Sequence, residues 1–234
     1  MPQEKTIIIS VGGSMIVPNE IDTVFLTQLK SLILDYIGRG FRFVLIAGGG
    51  KTARRYQAAG NEVTPLTKDD MDWLGIHTTR LNGHLLRSVF VHEANPRIIT
   101  NPHEDIDWKE SVLIGAGWRP GCSTDYDAVL IAKNLGISKL INLSNIDYVY
   151  TDDPRKNPNA TKIEKIEWSE FRKLIPKEWD PGLSSPFDPI AARECEKIAM
   201  EVAILNGNNL ANVRTYLEGG DFIGTKILPN TTLS

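Results

Sequence analysis

Apolar residues along the chain fall into two alternating rhythms. Residues 6–11 (TIIISV) and 41–47 (FRFVLIA) are short continuous runs, closed by Gly12-Gly13 and by Gly48-Gly49-Gly50. Runs that are apolar on both faces and end in turn residues predict buried strands of a parallel sheet. Between them Ile21, Val24, Phe25, Leu29, Leu32, Ile33 and Tyr36 recur at helical spacing. Asn19 is the predicted N-cap of that helix, and Gly38-Arg39-Gly40 its stop. Strand, helix, strand with glycines after both strands predicts a βαβ unit whose strands open their C-terminal ends onto one edge.

The alternation continues along the chain. Thr67 with Asp70 predicts a capping box opening a helix that runs to about Val89. Residues 111–114 predict a strand, 125–135 a helix and 139–143 (KLINL) a strand. Asp188-Pro189 predicts a helix start, with Asp as cap and Pro in the first turn, where its missing N–H costs nothing. A strand over 201–205 and a short helix over 210–217 complete the pattern. Segments 152–161 and 175–186 are loop-rich. The fold class is α/β with a mainly parallel central sheet, and a division near residues 105–110 separates two lobes of one continuous sheet.

Composition narrows this picture only modestly. A chain of 234 residues holds one α/β domain with a large core, or two small lobes. The net charge of −3, without a long basic block, argues against nucleic-acid binding. Cys122 and Cys195 have neither disulfide-framework nor zinc spacing, so a reducing cytoplasm is expected. The first residues lack signal-peptide order, and no apolar run approaches the roughly 18 residues of a membrane span. His77, His84, His92 and His103 form no metal or triad pattern and are read as structural.

Three strand ends carry loops suited to phosphate: Gly12-Gly13-Ser14, Gly48-Gly49-Gly50-Lys51, and Gly115 to Gly121 leading into Ser123-Thr124-Asp125. Glycine lets the backbone approach an anion and aim successive N–H groups at it, and a helix N-terminus adds a favourable dipole. Each loop taken alone is equally well a plain tight turn. Gly50-Lys51-Thr52 ends like a Walker A loop, but Leu45 occupies the place of its first glycine. Gly48, Gly50 and Ala53 fit a loose dinucleotide pattern, yet the acidic residue due at the end of the next strand is missing: Asp69, Asp70 and Asp72 sit at a helix start.

In order, the segments VGGSMIVP (11–18), AGGGKTARRY (47–56), KDDMDWLGIHTTRLNGHLL (68–86), GWRPGCSTDYDAVLIAKNLG (117–136), NLSNIDYVYTDDPRKNPNATKI (142–163) and SSPFDPIAA (184–192) resemble the amino-acid-kinase family, in its archaeal-type UMP-kinase branch. The resemblance implies a three-layer α/β/α sandwich forming a single kinase domain, in which residues 1–108 bind the phosphate acceptor and 109–234 bind ATP. It implies ATP-dependent phosphorylation of UMP, with Mg²⁺ bridging ATP oxygens, in a cytoplasmic homo-oligomer, a hexamer, that engages neither membrane nor nucleic acid. It places Gly13 and Ser14 near the transferring phosphates, Gly49 at the UMP phosphate, and Gly50 and Arg54 between acceptor and donor. Asp72 falls on the ribose hydroxyls, and Trp118, Arg119, Pro120, Gly121, Cys122, Ser123 and Thr124 on the loop over UMP. Ser144, Asn145, Tyr150 and Asp153 fall on the ATP site. Arg54 supplies a planar fork for phosphate oxygens and Asp72 accepts two bonds from a cis-diol. The plainer readings are that Asp72 favours a helix N-terminus, Tyr150 is a strand-end aromatic, and Asp125 and Asp147 are cap and turn residues.

The sequence departs from the family pattern at three places. Ser10 stands where many members carry a first-strand Lys, which leaves Lys51 and Arg54 as candidate catalytic cations. Trp118 stands in place of a small hydroxyl residue of the acceptor loop, Arg119 adds charge there, and Tyr148 replaces a glycine. A kinase with another acceptor, and a non-catalytic nucleotide-binding or storage protein of the same fold, are the alternatives.

Overall fold

The computed structural model describes residues 5–180 and 185–231. Ser184 of the SSPFDPIAA segment therefore lies outside the described residues. Strand β1 (Lys5–Val11) is followed by a single-turn helix α1 (Gly13–Ile16), helix α2 (Thr23–Ile37) and strand β2 (Phe41–Ala47). Helices α3 (Gly50–Val63) and α4 (Lys68–Val89), strand β3 (Val112–Gly115), helix α5 (Thr124–Asn134) and strand β4 (Lys139–Ser144) come next. The chain continues through β5 (Val149–Tyr150), β6 (Lys162–Ile163), β7 (Lys165–Glu167), α6 (Trp168–Leu174), α7 (Pro189–Lys197), β8 (Glu201–Asn206), α8 (Leu210–Leu217) and β9 (Thr225–Leu228).

Seven strands form one sheet in the order β3-β2-β1-β4-β8-β9-β7, and β5 and β6 make a separate two-stranded ribbon. Pairing is parallel from β3 through β8; β9 runs antiparallel to β8 and carries β7 in parallel. The sheet is therefore mainly parallel, as the uninterrupted apolar runs of β1, β2 and β4 require when both faces are covered.

Alternate residues of each strand enter two separate cores. Ile9, Phe43, Leu45, Ile114 and Leu143 pack with α2, α4 and α8 on one face, around Phe25, Leu29, Ile33, Leu86 and Val213. Ile8, Val44, Ile46, Leu113 and Ile204 pack on the other face with Ala128 and Ile131 of α5, Trp168 and Phe171 of α6, and Ala191 and Cys195 of α7. This is a three-layer α/β/α sandwich. At roughly 1.5–3 kcal/mol for each large apolar side chain removed from water, the two cores dominate its stability.

The structure moves some boundaries. Helix α2 is capped by Asp22, whose carboxylate accepts the Phe25 N–H at 2.8 Å, and not by Asn19. Asn19 lies in the preceding turn, and Ile21 and Val24 are exposed, so the buried stripe starts at Phe25. Helix α5 begins one residue early because Ser123, not Asp125, accepts its capping N–H. The Thr67–Asp70 box, by contrast, is reciprocal: each side chain accepts the other residue's backbone N–H. Asp188 caps α7, with Pro189 in its first turn. Strand β3 lies beside β2, past the expected division at residues 108 and 109. Strands β6, β7 and β9 and helices α1 and α6 are additions to the predicted set. No helix among the described residues is long and apolar enough to cross a membrane.

Candidate active site

The C-terminal ends of β1, β2 and β3, neighbours in the sheet, bring the three glycine loops to one edge. The first two loops cross with backbone touching backbone. A Cβ on Gly13 would stand 1.9 Å from the Gly50 nitrogen, and one on Gly48 would stand 2.3 Å from the Gly13 nitrogen. Gly50 adds a φ of +66°, which disfavours any side chain. The Gly12 N–H donates to Leu143 at 2.9 Å, tying the crossing to β4, and the Lys51 N–H donates to Val17 at 2.9 Å. Glycine is thus needed at the crossing for close approach, and at Gly50 for its positive φ as well.

Helix α4 holds these loops through a polar strip on its buried face. Asn82 Nδ2 donates to the carbonyls of Gly48 at 2.7 Å and Gly49 at 3.2 Å. Thr79 Oγ1 accepts the Gly117 N–H at 2.8 Å, while the Arg80 guanidinium donates to the carbonyls of Gly117 and Trp118. Asp72, about two turns nearer the start of α4 than Thr79, accepts the Gly121 N–H at 2.7 Å and faces the Trp179 indole N–H at 3.4 Å. Burial is the main cause that raises the Asp72 pKa, with the nearby Asp69 and Asp180 charges adding; the bonds from Gly121 and Trp179 oppose it.

Between the loops and α4 lies a cavity of about 200 Å³. Of the residues expected at the acceptor, Gly49, Asp72, Cys122, Ser123 and Thr124 line it, together with Gly50 and Arg54. Trp118, Arg119, Pro120 and Gly121 do not. Trp118 instead meets the His103 ring edge-on at 4.8 Å, and the Arg119 guanidinium lies 4.0 Å from the Trp118 ring centroid. Arg54 is exposed and makes no ion pair among the described residues, so its fork is free for a ligand.

A second cavity, about 570 Å³, opens past the end of β4. Ser144, Asn145, Tyr150 and Asp153, four of the residues expected at ATP, line it, whereas Gly50 and Arg54, also expected there, line the smaller cavity. Asp153 is held by Arg155, whose Nε and Nη2 donate to its two oxygens at 3.0 Å, so its pKa is lowered. The β5–β6 ribbon forms one wall, pinned by Thr225, which accepts the Val149 N–H at 2.8 Å. Gly13, Ser14 and Lys51 line neither cavity.

Between the two cavities' strands sits a buried polar knot. Asp125 Oδ1 accepts from Ser10 Oγ and from Asn142 Nδ2, both at 2.8 Å. Loss of water, followed by the Asp188 charge, pushes the Asp125 pKa up to about 7 despite those bonds. Ser10 is therefore a partner of this carboxyl and places no cation at the first strand. Asp188 also accepts the Ser123 N–H at 2.8 Å, so one carboxylate both caps α7 and positions the acceptor-side loop.

Residues 5–206 match the sequence profile of the amino acid kinase family. The chain belongs to that family. It is similar to the uridylate kinase of Pyrococcus abyssi, 37% identical over 191 residues that cover 80% of this chain and 83% of that one. It is also similar to the uridylate kinase of Pyrobaculum calidifontis, 35% identical over 80% of this chain and 87% of that one. Among solved structures, the uridylate kinase of Archaeoglobus fulgidus superposes with a TM-score of 0.77 at 24% identity, covering 95% of this chain and 99% of that one. The UMP kinase of Bacillus anthracis gives a TM-score of 0.78 at 18% identity, with 97% of each chain covered. These two likenesses show the amino-acid-kinase fold.

The sequence-level site omitted Asn82, Thr79, Arg80 and Trp179. Thr79 and Arg80 fall at i+7 and i+8 from Asp72 and Asn82 at i+3 from Thr79, a helical periodicity that was available; Trp179 lies in a loop and carried no such signal.

Proposed function

We propose that this protein is a uridylate kinase, transferring the γ-phosphoryl group of ATP to UMP. The observation that carries the reading is the 200 Å³ cavity. It gathers Gly49, Gly50 and Arg54 from one end of α3, Asp72 from α4, and Ser123 and Thr124 from the start of α5. The set offers backbone N–H groups and a guanidinium for a phosphate, a carboxylate for a ribose diol, and hydroxyls at a helix N-terminus. Phosphoryl transfer asks of the protein mainly positioning and charge neutralisation, and no covalent residue is required.

In this reading the larger cavity at Ser144, Asn145, Tyr150 and Asp153 takes ATP. Among the described residues no group of three or more His, Cys, Asp or Glu side chains has the arrangement of a metal cage. Mg²⁺ brought in with ATP would neutralise phosphate charge, and Asp153, which lines the larger cavity, is a carboxylate that could help hold it. Arg54 is the cation assigned to the transferring phosphate, since it lines the acceptor cavity and Lys51 does not. Exposed Tyr56 and Val63 on α3 and Trp73 and Leu81 on α4 support a homo-oligomer, which light scattering measures.

The test is ADP formation with Mg-ATP against UMP, CMP, dTMP, acetylglutamate, aspartate and molybdate. Turnover with UMP well above the other acceptors is expected, and no turnover with UMP above background overturns the proposal.

A further inference from the structure

Asp127, one turn into α5, lines the acceptor cavity although it is only 2% exposed. Its Oδ2 accepts the Trp118 N–H at 3.2 Å, while Oδ1 is buried without a hydrogen-bond partner among the described residues. Buried polar atoms are ordinarily paired, and leaving one unpaired costs about 1–3 kcal/mol. An unpaired atom facing a ligand cavity marks a place where the ligand completes the bond.

The surroundings fix which kind of bond. Removal from water pushes the Asp127 pKa up to about 8; Asp188 on α7 and Asp125 on its own helix add to the rise. The Trp118 N–H and the Arg80 cation on α4 oppose it. The neighbouring Cys122 thiol is pushed well above its ordinary value by burial and stays neutral, and Asp72 on α4 adds a further acidic group to the same cavity. At neutral pH Asp127 is thus the neutral acid. With Oδ2 accepting from Trp118, the proton belongs on Oδ1, a hydroxyl donor without an acceptor on a residue that lines the cavity.

Three parts of a nucleoside monophosphate compete for this atom. The phosphate is drawn to Arg54 and the glycine N–H groups, and the ribose diol to Asp72. The base remains. We propose that Asp127 reads the acceptor's pyrimidine ring by donating from Oδ1 to its 4-keto oxygen. The assignment rests on the uridylate-kinase reading above. It makes Asp127 a specificity residue: uracil offers a keto acceptor at that position, and cytosine offers an amino donor, which opposes a donor on the protein. Ionisation of Asp127 reverses the preference, because a carboxylate accepts and does not donate.

The test compares steady-state kinetics with UMP and CMP from pH 6.5 to 9.5 for the wild-type chain, Asp127→Asn and Asp127→Val. The wild type is expected to lose affinity for UMP, and gain it for CMP, as pH rises through about 8. In Asp127→Asn the amide oxygen takes the Trp118 N–H and the NH₂ donates at every pH, so the UMP KM stays low and its pH dependence disappears. Asp127→Val is expected to raise the UMP KM about tenfold with a much smaller change in kcat, the cost of one lost hydrogen bond, and to erase the preference for UMP over CMP. If Asp127→Val does not fold by circular dichroism, the Asp127→Asn pH profile decides. A UMP KM and pH profile that both variants share with the wild type overturn the role of Asp127 alone. Absence of UMP turnover in the wild type overturns this role together with the function on which it rests.

Discussion

The Asn82 side-chain amide donates to the Gly48 carbonyl at 2.7 Å, so a residue in the C-terminal half of α4 holds the glycine loop that follows β2. A second bond to Gly49 at 3.2 Å shares the same nitrogen. Asn82→Ala deletes both and leaves a buried carbonyl short of a donor. Stability is expected to fall by about 1–3 kcal/mol in urea denaturation, with the acceptor KM raised because Gly49 lines the cavity. A loss below about 0.5 kcal/mol with unchanged KM would show that the loop holds itself.

The crossing of the two glycine loops makes a sharper claim. A Cβ on Gly13 would stand 1.9 Å from the Gly50 nitrogen, and one on Gly50 would stand 2.3 Å from the Gly13 carbonyl oxygen. Neither contact is relieved by turning a side chain, because both partners are backbone. Gly13→Ala is expected to cost about 1–3 kcal/mol or more of stability and to abolish turnover by pushing the loops apart. Gly40→Ala, at a surface glycine with open space around its Cβ, separates loop crossing from glycine loss in general. Its cost is expected to come from its positive φ alone and to leave turnover intact. Turnover near wild type in Gly13→Ala would refute the crossing.

Much of this was legible before the fold was known, for physical reasons that differ by element. Strands β1, β2, β4 and β8 are buried on both faces, so their sequences are continuous apolar runs that nothing else explains. Helices α4 and α7 carry local capping chemistry, Thr67 with Asp70 and Asp188 before Pro189, that acts within one turn. Strands β7 and β9 were silent because KIE and TKIL are too short and too polar to form an apolar run, and their pairing is set by partners more than 20 residues away. Trp168 has a similar history. Its indole N–H donates to Met200 at 2.7 Å inside the second core, a contact that no local pattern announces. Asp127 was invisible for the opposite reason, since an Asp in a helix's first turn looks like an ordinary solvated dipole partner.

Arg54 separates binding chemistry from fold. It is exposed, lines the acceptor cavity and has no ion pair among the described residues, so its removal takes nothing from the core. Arg54→Ala is expected to abolish UMP phosphorylation while shifting the melting temperature by no more than a degree or two, a surface-level effect of about 0.5 kcal/mol or less. Arg54→Lys is expected to rescue little, because a point charge does not reproduce the fork. Retained turnover in Arg54→Ala would remove it from the phosphate site and return Lys51 as the candidate cation.

Two buried carboxyls beside the acceptor loop set the sign of the pH dependence of stability. Asp125 and Asp127 have pKa values raised to about 7 and about 8, whereas both ionise near 3.8 when the chain unfolds. Below about pH 4 both states hold the protons, and these groups contribute no pH dependence. Between about pH 4 and pH 8 the folded protein keeps protons that the unfolded chain releases, so stability falls as pH rises, levelling off once the folded carboxyls ionise. Asp127→Asn is expected to melt higher than the wild type at pH 8, with the difference shrinking toward pH 4. Asp125→Asn is expected to gain less, because two donors already stabilise its charge: Ser10 Oγ and Asn142 Nδ2, each at 2.8 Å. Thermal melts of the wild type and both variants at pH 4, 6 and 8 check this directly. A melting-temperature difference between Asp127→Asn and the wild type that does not grow from pH 4 to pH 8 would mean that this carboxyl is charged in the folded state, and the neutral donor assigned to Asp127 would fall with it.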